Sequence, residues 1–190
     1  LITIERNRMF ILLSLLLFGS MCADTKIFLV YGGQTGWIGQ KVVRLLKDEG
    51  HRVVTAQSRL EQREAIINEI EQIKPHCVIN TAGVTGVPNV DWCEDHKQET
   101  IRANIIGALN LADITYMHGI HMINMGTGCI YEYDTAHTMY SDNGFTEEDM
   151  PNFHGSFYSH TKCMLDDLLR HYPNVLNLRL RMPISSDLHP

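Results

Sequence analysis

The chain has 190 residues, 44% of them hydrophobic and 20% charged, the balance of one globular domain with a core of its own. A net charge of −6 without a basic block argues against a nucleic-acid surface, which must neutralise phosphates. Five cysteines form no Cys-x-x-Cys pair and ten histidines show no ligand spacing, so reduced thiols, a reducing compartment and no metal are expected.

At the amino end, "RNRMFILLSLLLFGSMCA" has a basic start, an apolar run over Met9–Phe18 and small residues near position 20. Residues 1–25 therefore read as a signal-like segment or as a mistranslated leader ahead of a start at Met21. The first reading places the protein in the secretory pathway, the second in the cytoplasm, which is the preferred expectation. Residues 26–190 then read as one domain.

From residue 26 strand and helix signals alternate. "KIFLVYGG" is a buried parallel strand running into a glycine turn, and residues 37–49 form a helix closed by Gly50. "HRVVTA" is a second strand. Residues 60–74 place Ile66, Ile67, Ile70 and Ile73 on one helical face before Pro75. "HCVINTAG" is a third strand, a long helix covers 96–118, and "IHMINMGT" is a fourth strand. Residues 134–154 read as a loop, 155–171 as a helix and "VLNLRL" as a fifth strand. The expected fold is a doubly wound parallel α/β sheet of Rossmann type.

The first turn, "GGQTGWIG", gives Gly33-x-x-Gly36-x-x-Gly39, with Trp37 and Ile38 opening the helix. Glycines at this spacing let the backbone turn tightly, approach a pyrophosphate and pack the helix near the strand. A strand before the turn and a helix after it are the context that makes this a dinucleotide site. An NAD site usually carries a carboxylate at the end of the second strand. Here "TAQSRL" has none, and Ser58 and Arg59 stand there instead. An arginine pairs with a 2′-phosphate, so NADP(H) is the expected cofactor, with NAD(H) the alternative.

"FYSHTK" holds Tyr158 and Lys162 one helical turn apart, on one face. A phenol is a poor acid–base group at neutral pH until a nearby ammonium lowers its pKa. Thr127 ends the fourth strand, where a parallel sheet lines its ligand crevice, and can orient a substrate oxygen. Cys129 follows two residues later, on the same side of an extended segment. It reads either as buried filler or as a proton-transfer group. Cys77, Cys93 and Cys163 read as packing residues, His160 as exposed, and Asp91, Glu94 and Asp95 as a helix-start charge set.

The glycine turn, strand-end Thr and Tyr-x-x-x-Lys, in that order, resemble the extended short-chain dehydrogenase/reductase family. More narrowly, "NTAGVTGVPNVDWCE", "TGCIYEYD", "NFHGSFYSHTK" and "RLRMPISSDL" resemble nucleotide-sugar 3,5-epimerase/4-reductases of L-rhamnose synthesis, related to dTDP-4-dehydrorhamnose reductase, across residues 26–188. The resemblance implies that Tyr158 donates a proton to a carbon-4 keto oxygen as NADPH supplies hydride, Lys162 holds the nicotinamide ribose, and Thr127 bonds the keto oxygen. It also implies that Gly33, Gly36 and Gly39 bind the pyrophosphate and that Asn80, Ala82 and Gly83 lie beside the adenosine or ribose. Asn104 takes a structural and proton-relay position, and Cys129 becomes an acid–base group for epimerisation. Such relatives continue into a smaller substrate-binding region. The implied partner is a nucleotide sugar, with a homodimer as a further expectation. A membrane enters only if residues 9–22 are a true signal or anchor. The competing function is a non-catalytic NADP-binding regulatory subunit, for which an intact Thr127, Tyr158 and Lys162 have no chemical purpose.

Overall fold

The computed structural model describes residues 24–185, so the signal-like segment through residue 23 lies outside the described residues. Five short strands run parallel: β1 (Ile27–Tyr31), β2 (Arg52–Thr55), β3 (Cys77–Asn80), β4 (His121–Thr127) and β5 (Val175–Leu180). They pair in the order β2-β1-β3-β4-β5, the doubly wound α/β sheet expected from the sequence. No helix among the described residues is long and apolar enough to cross a membrane.

Parallel neighbours need a crossover, and each connection here carries helix. The helices are α1 (Trp37–Asp48), α2 (Arg63–Ile73), α3 (Trp92–Asp95), α4 (Lys97–Ile101), α5 (Ala108–Met117) and α6 (Phe157–Leu169). Alternate strand residues face opposite sides. Phe28, Val30, Cys77, Ile79 and Ile123 meet Val42 and Leu46 of α1. Leu29, Tyr31, Val78 and Met122 meet Ile66 and Ile70 of α2, Leu111 and Ile114 of α5, and Leu165 and Leu169 of α6.

The single helix expected over 96–118 is corrected. A short turn at Trp92–Asp95 precedes it, α4 starts at Lys97, and Arg102–Gly107 widen into a π-helical segment before α5. Gly107 sits against Leu60, where a Cβ would stand 2.6 Å from that residue's own Cβ. Asn104, inside the widened turn, is buried. The second helix begins at Arg63 rather than 60 and the last at Phe157 rather than 155; β5 falls on "VLNLRL".

One polar row crosses this apolar sheet. Asn80, Asn124 and Asn177 are in register on β3, β4 and β5. The Asn80 amide donates to Asn124 Oδ1 at 2.8 Å, and the Asn124 amide donates to Asn177 Oδ1 at 2.7 Å. Asn177 then donates to Asp166 Oδ1 on α6 at 2.7 Å. Arg179 grips the same carboxylate through Nε at 2.9 Å and Nη2 at 2.7 Å. Its Nη1 also donates to the Glu147 carbonyl at 3.1 Å, so one guanidinium joins β5, α6 and the loop between β4 and α6.

Candidate active site

The turn after β1 is built on four glycines rather than three. Gly32, which the motif spacing passes over, has a φ of +77° and lies where a Cβ would meet Thr81 Oγ1 at 2.6 Å. Its carbonyl accepts the Gly36 amide at 3.1 Å, and a Cβ on Gly39 would collide with that carbonyl. The doubled glycine of "GGQTG" was the available signal. Gly33 is a packing glycine, its Cβ direction meeting Thr55 Cγ2 and Val43 Cγ2 at 3.0 Å.

Helix α1 then begins with Gly36 as its N-cap, with no side-chain cap and no acidic residue in its first turn. Trp37 carries the Lys41 ammonium 5.1 Å from its ring centre, and Ile38 packs into the core. Gly32, Thr35 and Gly36 form one wall of a cleft of about 340 Å³; Ser58, Arg59 and Glu61 line another, and Ala82, Gly83 and Val84 a third.

At the end of β2 the structure adds a carboxylate that the linear sequence hides. Glu69, from α2, accepts the Gln57 amide at 2.7 Å, the Ser58 amide at 3.3 Å and the Ser58 hydroxyl at 2.5 Å. The Tyr31 hydroxyl lies 3.2 Å from the same oxygen. Burial, with the Glu69 charge beside it, pushes the Tyr31 phenol well above its ordinary range. Arg59 is largely exposed and pairs with Glu61 at 3.5 Å. The loop after β3 is held from both sides. Asn80, buried, accepts the Ala82 amide at 3.0 Å, so its side chain serves the turn and the sheet. Asn104 accepts the Val84 amide and donates to the Val84 carbonyl, both at 2.8 Å. A Cβ on Gly83 would stand 3.1 Å from Asn104 Oδ1 and in ordinary contact, 3.9 Å, with Lys162 Nζ, so Gly83 places the loop beside both.

Thr127, Cys129 and Tyr158 come together at the carboxyl end of β4. The Thr127 hydroxyl accepts the Cys129 amide at 3.1 Å and is the polar neighbour that eases the rise of the Tyr158 pKa. Tyr158 is buried, and burial above all raises its pKa; the Cys129 thiolate would add to the rise, and Thr127 opposes it. Lys162, one turn on, has its pKa lowered to about 8 by burial. The start of α6 is fixed three ways. Ser156 caps it by accepting the Ser159 amide at 3.1 Å, and the Ser159 hydroxyl donates to the Cys129 carbonyl at 2.7 Å. Glu94 of α3 accepts the Phe157 amide at 2.6 Å. Asp91 is the N-cap of α3 and Glu94 and Asp95 lie in its first turn, the helix-start set expected, and Glu94 also reaches the start of α6, 63 residues on. Cys77, Cys93 and Cys163 are buried and unpaired, as packing residues. His160 is half-buried, edge-on to His154 at 5.3 Å, rather than exposed.

The residues fit a dinucleotide. A helix N-terminus without cap or acid suits a pyrophosphate. Gly83 places its loop beside Lys162, and Ser58 and Arg59 border the cleft at the end of β2.

Residues 29–183 match the model of the NAD dependent epimerase/dehydratase family. The chain is 55% identical over 161 residues to the bifunctional dTDP-4-dehydrorhamnose 3,5-epimerase/dTDP-4-dehydrorhamnose reductase of Arabidopsis thaliana, covering 85% of this chain and 53% of that protein. The L780 UDP-rhamnose synthase of Acanthamoeba polyphaga mimivirus superposes with a TM-score of 0.78 at 39% identity, covering 85% of this chain and 57% of the other. The fold is also that of dTDP-4-dehydrorhamnose reductase from Bacillus anthracis, solved with NADP, at a TM-score of 0.72 and 18% identity over 85% of this chain and 55% of that one. The chain therefore spans about half the length of these relatives.

Proposed function

Because this chain belongs to the NAD dependent epimerase/dehydratase family, we propose that it forms the cofactor-binding and catalytic half of a nucleotide-sugar 3,5-epimerase/4-reductase. The product is a nucleotide-linked L-rhamnose. The observation that carries this reading is the convergence of Thr127, Cys129 and Tyr158 at one strand end, with Lys162 one turn away. It accords with the activity named for the Arabidopsis relative.

A reduced nicotinamide, held by the glycine turn and Lys162, would supply the hydride that carbon 4 of the 4-keto sugar needs. Tyr158, kept protonated by burial, gives its proton to the keto oxygen, so the ketone becomes an alcohol. Thr127 orients that oxygen. Lys162 would hold the cofactor ribose; against the expectation from their spacing, burial raises the Tyr158 phenol and this ammonium does not bring it down. Protons on carbons 3 and 5 are acidic while carbon 4 is a ketone. Removing each and returning it to the opposite face inverts the centre with no net redox change. Cys129, beside Thr127, serves one face of that exchange as base or acid, and the opposite face takes its proton from a second acid–base group that these residues do not supply. Gly32, Gly36, Gly39 and the first turn of α1 hold the pyrophosphate. Asn104 acts by fixing the loop that carries Ala82 and Gly83.

The test uses the full chain, NADPH and a 4-keto-6-deoxy nucleotide sugar in deuterated water, followed by proton NMR. The expected outcome is deuterium at carbons 3 and 5 together with NADPH oxidation. Cys129→Ala should slow exchange by about 100-fold or more while still reducing an already epimerised ketone. Reduction without exchange in either protein would make this a reductase alone. Absence of NADPH oxidation would favour the regulatory subunit.

A further inference from the structure

Three groups at the end of β2 are the usual donors for a 2′-phosphate: the Ser58 hydroxyl and the amides of residues 57 and 58. All three are already given to one internal carboxylate, Glu69, at 2.5, 2.7 and 3.3 Å. Tyr31 adds no free donor, because its hydroxyl lies 3.1 Å from Ser58 Oγ and 3.2 Å from Glu69, and its single proton serves one or the other. What Ser58 still offers the cleft is lone pairs, which accept a hydrogen bond and repel a phosphate. The charges agree. Arg59 lines this end of the cleft and is already paired with Glu61 at 3.5 Å, while the neighbouring Ser58 hydroxyl is bound to Glu69. A 2′-phosphate there would meet one guanidinium already paired with an acid, and donors already given to Glu69. A free 2′-hydroxyl would meet an acceptor.

We propose that Glu69 is the residue that sets cofactor choice here, by occupying the donors beside Ser58 so that the cleft admits NADH alongside NADPH. This rests on reading the cleft as a dinucleotide site. It reverses part of the inference from "TAQSRL": the acid missing from β2 is present in space, supplied by the next helix. Arg59 draws a 2′-phosphate in, and Glu69 offsets it.

The experiment measures dissociation constants of NADPH and NADH for the full chain by nicotinamide fluorescence, with no substrate present. The parent should bind both within about tenfold of each other. Glu69→Gln keeps the shape, removes the charge and should raise the preference for NADPH by about tenfold, as expected for a carboxylate several ångströms from a phosphate in partly screened surroundings. Ser58→Ala retains Glu69 and should weaken NADH several-fold while leaving NADPH, held by Arg59, nearly unchanged. An unchanged ratio in Glu69→Gln, with Ser58→Ala affecting both nucleotides equally, overturns the assignment of Glu69 and leaves the dinucleotide site standing. Binding of neither nucleotide to the parent overturns both.

Discussion

Lys162 carries its ammonium where burial alone brings the pKa down to about 8, and no carboxylate offsets the loss of water. Folding therefore works against a buried charge at neutral pH. Below pH 8 both folded and unfolded chains hold the proton and the whole penalty is present. Between about 8 and the ordinary value of 10.5 the folded chain has lost it and the unfolded chain has not, so the penalty fades as pH rises. Lys162→Met should accordingly be more stable than the parent at pH 7, and urea melts should show that advantage shrinking at pH 9 and 10. A pH-independent difference would mean that the lysine acts through packing. The same variant should lose reduction, which identifies a group kept for chemistry against stability. The positions of Thr127 at a strand end and of Tyr158 and Lys162 one turn apart on a helix were legible from the chain because each is declared locally. The reach of Glu69 and Glu94 was not. Their partners lie 11 or 12 and 63 residues away, and no periodicity marks a carboxylate that acts on another element's backbone.

Among elements, β5 and α6 are joined by the bidentate contact of Arg179 with the buried Asp166. Removing the cation leaves an unpaired carboxylate under the helix that bears Tyr158. Arg179→Met should lower stability by about 3–5 kcal/mol, seen as a fall in the urea midpoint. Adding Asp166→Asn should recover part of that loss; no recovery would show that Arg179 matters through the Glu147 loop instead. Strand β5 was read to the residue because apolar and polar positions alternate cleanly and turn residues bound it. The helix over 96–118 was misread for a physical reason. Apolar spacing reports which face is buried, and it is nearly the same whether the backbone closes α or π turns. The widened turn coincides with close packing at Gly107 and with the two hydrogen bonds between Asn104 and Val84, neither visible in a linear pattern.

For the whole molecule, the cleft walls come from the turn after β1, the end of β2 and the loop after β3, with Ala103 of the π-helical segment beside them. A ligand that touches all of them adds a further tie between segments that meet through a few hydrogen bonds, such as Gln34 to the Ala56 carbonyl. NADPH at 100 times its dissociation constant should therefore stabilise the fold by about 2.7 kcal/mol, visible as a rise in melting temperature, whereas adenine alone should give much less. No shift with NADPH would remove the cleft as a cofactor site. The asparagine row has a further consequence, for assembly of the sheet. Leu176, Leu178 and Leu180 are spaced two apart, so β5 could slide by two residues along β4 and still present leucines to the same face. Such a slide would set Asn124 opposite Val175 or Arg179, stranding amides in a dry interior. The apolar residues set which side of β5 faces which layer, and Asn177 sets where along β4 it comes to rest, so a slipped register costs the bonds to Asn124 and Asp166.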